Sequence, residues 1–88
     1  MTQRVFIVHG FEGDPHGNWF DWLAANIQAA GAQSFQLSMP NPNHPDAHQW
    51  QHLLDEAVRT PDEQTFLVGH SLGTISLLHF LSRRRPSR

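Results

Sequence analysis

The fold is decided by one stretch, which reads Thr65-Phe66-Leu67-Val68-Gly69-His70-Ser71-Leu72-Gly73. It opens with a short apolar run that predicts a buried strand. The rest matches the pattern Gly-x-Ser-x-Gly, in which the serine lies on a sharp turn between a strand and a helix. Such a turn closes only if the residues two positions away on either side are small, and glycine meets this need at both. We therefore predict that Ser71 is a catalytic nucleophile.

A helix is predicted directly after this turn, from about Leu72 to Arg83. It is apolar on most sides, so we expect it to pack against a sheet and further partners. The Ser71 hydroxyl would then lie at a helix N-terminus, where the dipole and the free N–H groups favour developing negative charge. The alternative is a tight strand-to-helix turn that carries an incidental serine.

Strand and helix patterns alternate through the rest of the chain. Strands are predicted at residues 4–9, 32–37 and 64–69, with the second nearer a sheet edge because it is only loosely apolar. Loops rich in glycine, proline and asparagine occupy residues 11–18 and 39–45. This order requires right-handed crossovers onto a mostly parallel sheet. The predicted fold class is α/β, with three parallel strands alternating with three helices.

Two more helices lie between these strands. The first is predicted from an apolar stripe of Trp19, Trp22, Leu23, Ile27 and Ala30. Asn18 is its predicted N-cap and Gly31 its C-terminal cap. The second runs from about Asp46 to Arg59 and carries one apolar face that includes Trp50.

A second motif, Val8-His9-Gly10-Phe11, ends the first strand, and Gly13 follows it. Acyl transfer passes through a tetrahedral oxyanion, which needs two preorganised hydrogen-bond donors. We predict that the backbone N–H of Leu72 is one donor and that of Phe11 the other, with His9 and Gly10 shaping the oxyanion loop. The alternative interpretation of His9 and Gly10 is a simple strand-ending turn.

Together the motifs resemble the retinoblastoma-binding-protein-type serine hydrolases, a branch of the α/β-hydrolase fold with a small domain. The shared features are His9-Gly10, Trp19, Trp22, Met39-Pro40-Asn41-Pro42, Trp50 and Gly69-His70-Ser71-Leu72-Gly73. The serine motif is common to the wider superfamily, whereas the Met-Pro-Asn-Pro turn and the tryptophans indicate this branch. The resemblance implies hydrolysis of a small-molecule carboxylic ester or related acyl substrate, and a sheet in which the first strand lies between the other two.

The resemblance also implies an aspartate and then a histidine on later strands, which complete a triad with the serine. Neither position exists in this sequence of 88 residues. We therefore expect residues 1–88 to be a single incomplete α/β-hydrolase domain, the N-terminal part of the fold, with little activity alone. Its third strand would present an unpaired apolar edge, which favours self-association.

Two histidines inside the chain are candidates for a substitute base. His70 is next to Ser71 in sequence, but the sharp turn points the two side chains in different directions. His9 ends an adjacent strand and could approach the serine, although the resemblance implies a role in the oxyanion loop. A serine without a base is a poor nucleophile at neutral pH.

Composition limits the other function classes. A net charge of −2 argues against general binding to nucleic acid, and the basic run at residues 83–85 with Arg88 fits a helix end near the negative pole of its dipole. No apolar run approaches the ~18 residues of a membrane span. The absence of cysteine and of a secretory-signal pattern favours the cytoplasm. We expect no cofactor.

Two alternatives from other classes stay open. The sequence has seven histidines, and His44, His48 and His52 recur every four residues, which suggests a metal-binding module. No acidic third ligand is fixed by the pattern, so a solvated helix face is the simpler interpretation. The second alternative is a non-catalytic interaction protein that uses the truncated sheet or exposed tryptophans for docking.

Overall fold

The structure is a computed structural model that describes residues 2–17 and 19–83. Its elements follow the chain in the order β1 (Arg4–Val8), α1 (Phe20–Ala29), β2 (Gln33–Leu37), α2 (Ala47–Val58), β3 (Thr65–Gly69) and α3 (Leu72–Arg83). The strands form one parallel sheet in the order β2-β1-β3. The predicted α/β fold, with its first strand at the centre, is confirmed.

The register of the sheet aligns the ends of its strands. Val8, the last residue of β1, lies opposite Leu37 of β2 and Gly69 of β3. The loops that follow the strands therefore leave the sheet at one common edge, where parallel α/β sheets place their ligand sites. Both sequence motifs, His9-Gly10 and the turn around Ser71, lie at this edge.

The two faces of the sheet bury side chains against different helices. On one face α2 and α3 cover β1, and the buried cluster comprises Phe6, Val8, Met39, Trp50, Leu54, Val58, Leu77 and Phe80. On the other face α1 packs on Ile7 through Phe20 and Ala24. Successive residues of a strand point to opposite faces, so the continuous apolar run of β1 supplies both clusters.

The helix ends follow local capping rules. Asp46 caps α2, because its Oδ1 accepts a hydrogen bond from the backbone N–H of Gln49 at 3.0 Å. Gly31 follows α1 with a φ of +93°, a conformation in which a side chain is strained, and this confirms its predicted place at the helix end. Trp19 occupies the N-cap position of α1, and the predicted cap Asn18 lies outside the described residues.

Several apolar side chains are more exposed than their patterns predict. Trp22, predicted on the packed stripe of α1, is 68% exposed, because α1 meets the sheet through Phe20 and Ala24 instead. Phe66 was expected in a buried strand but is 45% exposed, since β3 pairs with β1 alone and α1 lies over β1 and β2. On α3, the side chains of Ile75 and Leu78 are also largely exposed. None of the helices in the described residues is long and apolar enough to span a membrane.

Candidate active site

Ser71 occupies the tip of the turn between β3 and α3. Its φ is +56°, in the left-handed region that residues other than glycine rarely adopt, and the residue is exposed. The turn is closed by two hydrogen bonds, from Gly73 N–H to the His70 carbonyl and from Thr74 N–H to the Ser71 carbonyl, both 2.9 Å. Strain of this kind costs on the order of 1–3 kcal/mol and clusters at functional sites. The unusual backbone conformation expected for Ser71 is confirmed.

The two glycines of the motif are required by close backbone contacts. A Cβ on Gly69 would lie 2.7 Å from both the N and the Cα of Thr74, within the turn itself. A Cβ on Gly73 would collide with the carbonyl oxygen of Val8 and lie 2.7 Å from that of His9. The first glycine closes the turn, whereas the second lets α3 pack against the end of β1. The sequence pattern predicted the first reason and missed the second.

The loop after β1 lies directly against the Ser71 turn. A Cβ on Gly10 would lie 2.8 Å from the His70 carbonyl oxygen, 2.9 Å from the Ser71 Cβ and 3.3 Å from the Leu72 nitrogen. The backbone of Phe11 follows immediately, with its side chain 53% exposed. Within residues 2–17 and 19–83, neither the Phe11 nor the Leu72 N–H donates a hydrogen bond. The structure thus brings Gly10, Ser71 and Leu72 together, with Phe11 next to Gly10 in the chain, and the roles of these residues remain predictions.

The loop after β1 contains a tight turn at residues 10–13. Gly13 N–H donates to the Gly10 carbonyl at 3.0 Å, and Glu12 between them has a φ of +58°. Glu12 N–H in turn donates to the carbonyl of Pro42, in the loop after β2, at 2.8 Å. The loops after β1 and β2 are therefore fixed to each other at the common edge of the sheet.

His9 is buried, and both of its ring nitrogens are engaged. The backbone N–H of Met39 donates to Nε2 at 3.0 Å, so Nε2 has no proton and Nδ1 carries it. Nδ1 lies 3.0 Å from the Gly10 carbonyl and donates to it. Neither nitrogen is free to take a proton from Ser71. The geometry favours the loop-shaping role predicted for His9 over the alternative of an internal base.

Trp50 contacts both His9 and the loop after β2. Its indole N–H donates to the Pro40 carbonyl at 2.7 Å, and its ring meets the His9 ring edge-on at a centroid distance of 5.8 Å. Sequence reasoning singled out the Met39–Pro42 turn but missed that it supports His9. The partners are 30 residues apart in the chain, and no local pattern records such a contact.

His70 packs toward α1. Its ring lies edge-on to those of Trp19 and Phe20, with centroid distances of 6.1 Å to each. This agrees with the expectation that the turn directs His70 and Ser71 differently. Trp19 and Trp50 thus pack around the candidate site, as do His9 and His70.

An exposed pair, His16 and Asp21, lies beside the loop after β1 and was missed by sequence reasoning. His16 Nδ1 is 2.8 Å from the Asp21 carboxylate, which also accepts from the Gln36 amide at 2.7 Å. The hydrogen bond to Asp21 and the charge of that carboxylate raise the pKa of His16. The hydrogen bonds from Gln36 and then from His16 lower the pKa of Asp21. The pair links the loop to α1 and β2.

The histidines of α2 form no metal site in the described part of the chain. No group of three or more histidine, cysteine, aspartate or glutamate side chains there could hold a metal ion. His52 lies 3.5 Å from Glu56, one helical turn away, and both side chains are largely exposed. A solvated helix face accounts for this arrangement.

The chain is similar in sequence and fold to known proteins. A sequence profile of the family described as "Serine hydrolase" matches residues 5–88. The chain belongs to the serine hydrolase family. It is 41% identical over 81 residues to "Putative hydrolase YdeN" of Bacillus subtilis (strain 168), an alignment that covers 92% of this chain and 43% of that protein.

The fold is shared with a solved relative. The crystal structure of the ydeN gene product from B. subtilis matches with a TM-score of 0.90 and 38% identity, over 96% of this chain and 45% of that one. This serine hydrolase chain thus spans less than half the length of the relatives it matches. The match supports hydrolase chemistry and the α/β fold at the level of the family.

Proposed function

We propose that this chain carries the nucleophile of a serine hydrolase that cleaves carboxylic esters or related acyl bonds, and that Ser71 is that nucleophile. The observation that carries the proposal is the strained, exposed conformation of Ser71, with Gly10 of the loop after β1 packed against its turn. Family membership supports the same chemistry. The Met39–Pro42 turn, which fixes His9 and Trp50, supports the narrower resemblance to the retinoblastoma-binding-protein-type branch.

In the proposed reaction the Ser71 hydroxyl oxygen attacks the carbonyl carbon of the substrate. The carbonyl oxygen becomes an oxyanion and accepts hydrogen bonds from Phe11 and Leu72, the second aided by the N-terminal dipole of α3. Collapse of this intermediate expels the alcohol and leaves an acyl-serine, which water hydrolyses. Gly10 is required because only a residue without a side chain lets the backbone of this loop approach the Ser71 turn as closely as Gly10 does.

The base that activates Ser71 is proposed to come from outside the described residues. His9 has no free nitrogen and His70 packs on α1, so neither fits the role. The resemblance supports an aspartate and a histidine that follow the serine in the chain. Loss of a triad base alone removes on the order of a million-fold from turnover, so residues 1–88 by themselves should hydrolyse esters near the background rate.

A fluorophosphonate probe tests the nucleophile, because it labels only activated serines. We expect it to label the complete gene product, and Ser71→Ala to abolish both labelling and hydrolysis of p-nitrophenyl acetate. Ser82→Ala is the matched control and should retain both labelling and hydrolysis. Ser82 lies on α3, and its hydroxyl donates to the His79 carbonyl.

Two outcomes would contradict this proposal. If Ser71→Ala keeps full activity in the complete gene product, another residue is the nucleophile. If the 88-residue chain alone hydrolyses the ester at a rate that Ser71→Ala abolishes, a base within the chain is at work. A complete gene product that never reacts with the probe would instead favour the non-catalytic interaction protein.

A further inference from the structure

A cleft of about 530 Å³ lies between the start of α2 and the start of α3, next to the candidate site. Its walls include Ala47 and Trp50 from α2 and Leu72 and Ile75 from α3. Leu72 directly follows Ser71, so the cleft begins where the scissile carbonyl would lie in the proposed function. Its volume falls within the range of roughly 300–1,000 Å³ that is typical of small-molecule sites.

Several polar groups on the walls of this cleft are already engaged, and the walls also include His79. The Trp50 indole N–H donates to Pro40, and the Gln51 side-chain amide donates to the Ser76 carbonyl at 3.0 Å. Gln51 Oε1 accepts from Arg83, and Asp46 caps α2. What these walls offer a ligand is therefore chiefly hydrocarbon, from Ala47, the Trp50 ring, Leu72 and Ile75. Burying a charged or strongly polar group against Ala47, the Trp50 ring, Leu72 and Ile75 would leave that group without partners there, at a substantial cost in free energy.

We propose that this cleft binds the acyl chain of the substrate, and that the preferred substrates are esters of unbranched, uncharged carboxylic acids longer than acetate. The inference rests on the proposed function of Ser71. With the carbonyl oxygen held by the Phe11 and Leu72 amides, the acyl chain passes Leu72 and enters the cleft between α2 and α3. The wall residues that determine chain-length preference are Ala47 and Ile75, which lie on opposite sides and are both exposed to the cleft.

The preference is measurable as a ratio of specificity constants. We expect kcat/KM of the complete gene product to rise from p-nitrophenyl acetate to p-nitrophenyl hexanoate, by up to about fourfold for each methylene group that the cleft buries. Filling the cleft should remove this rise. Ile75→Trp and Ala47→Trp, from opposite walls, should each lower the hexanoate-to-acetate ratio at least about tenfold, because the added ring displaces several methylene groups.

A control variant places the same ring elsewhere. Glu56→Trp lies on the outer side of α2, where the Glu56 side chain is 71% exposed, and it should leave the ratio unchanged. Circular dichroism melting of each variant establishes that it is folded. Two cleft variants are used so that misfolding of one leaves the other as the test.

The outcomes separate this inference from the proposed function. If acetate hydrolysis depends on Ser71 but wild-type kcat/KM is flat or falls with chain length, the acyl-chain inference is wrong and the nucleophile assignment stands. The same holds if both folded cleft variants keep the wild-type ratio, which would mean that another part of the protein fills the cleft. If acetate hydrolysis is independent of Ser71, the proposed function fails first.

Discussion

Gly10 lies where two segments distant in sequence meet, and its missing side chain is what lets them meet. The His70 carbonyl and the Ser71 Cβ both lie within 3 Å of the position that a Cβ would occupy. An added methyl group on Gly10 would push the loop after β1 away from the turn around Ser71. Displacements of about 1 Å at a catalytic centre can cost on the order of 100-fold in rate.

Gly10→Ala should therefore slow fluorophosphonate labelling of the complete gene product by about 10- to 100-fold. It should also lower the free energy of unfolding by about 1–3 kcal/mol, as overpacking does. Gly31→Ala is the matched control: its Cβ meets nothing within 4 Å but is strained by a φ of +93°, so stability should fall while the labelling rate holds. Equal labelling of the wild type and Gly10→Ala would show that the two segments need not touch.

His9 supports the same loop through its two ring hydrogen bonds. His9→Leu would leave the buried Met39 N–H without an acceptor, which costs about 1–3 kcal/mol in the free energy of unfolding. Urea denaturation of the complete gene product measures this loss. His52→Leu removes a largely exposed histidine and should change the same free energy by no more than about 0.5 kcal/mol. Equal effects from the two substitutions would rule out a structural role for His9.

The loop after β1 is held to α1 and β2 by hydrogen bonds among side chains. Gln36 Nε2 donates to the Pro15 carbonyl and to Asp21, both at 2.7 Å, and Asp21 in turn bonds to His16. The raised pKa of His16 stabilises the fold fully below pH 6.5, and this contribution is lost as the pH rises through the folded-state pKa. The lowered pKa of Asp21 contributes above pH 3.8 and is lost as the pH falls through the folded-state value.

Both contributions are thus complete between about pH 3.8 and pH 6.5, and each persists beyond this window until the pH reaches the folded-state pKa of its group. Proton NMR titration of the His16 ring should give a pKa above 6.5 in the wild type. Asp21→Asn should bring this pKa back toward 6.5, because the neighbouring negative charge is lost. Glu56→Gln, beside His52, is the control and should leave the His16 titration unchanged. A His16 pKa that does not respond to Asp21→Asn would show that the pair does not persist in solution.

For the molecule as a whole, the packing is uneven. The α2 and α3 side of the sheet has a continuous buried cluster, whereas Phe66 of β3 and Leu78 of α3 are exposed. In the described residues β3 pairs with β1 alone, so one edge of β3 offers unpaired backbone groups. Exposed apolar edges of this kind favour association.

We expect the 88-residue chain to self-associate through the edge of β3, with a weight-average mass that rises with concentration in analytical ultracentrifugation. Phe66→Lys should shift this association to higher concentration, because a charge on an edge strand opposes pairing. Trp22→Lys changes an even more exposed aromatic residue on α1, away from β3, and should have little effect. A chain that is monomeric at every concentration, or an equal response to both substitutions, would contradict the assignment.

Local signals made most of this molecule predictable from sequence. The turn around Ser71, the start of α2 near Asp46 and the glycine after α1 each depend on a few neighbouring residues, and each was located correctly. The contacts of His9 with Met39, and of Gly10 with the serine turn, depend on which loops the sheet brings together. The exposure of Trp22 and Phe66 was mispredicted for the same reason, since hydrophobic patterns do not show which faces another element covers.

The central position of β1 also determines when the candidate site can form. β1 is synthesised before β2 and β3, yet Arg4 pairs with Thr65, some sixty residues later. Pairings this distant in sequence carry a loop-closure cost before they contribute stability, and folds that depend on them fold slowly. The contact of Gly10 with the Ser71 turn cannot exist before β3 docks, so Ser71 acquires its surroundings only when the sheet is assembled. A nascent chain therefore has no preformed candidate site until β3 has docked on β1.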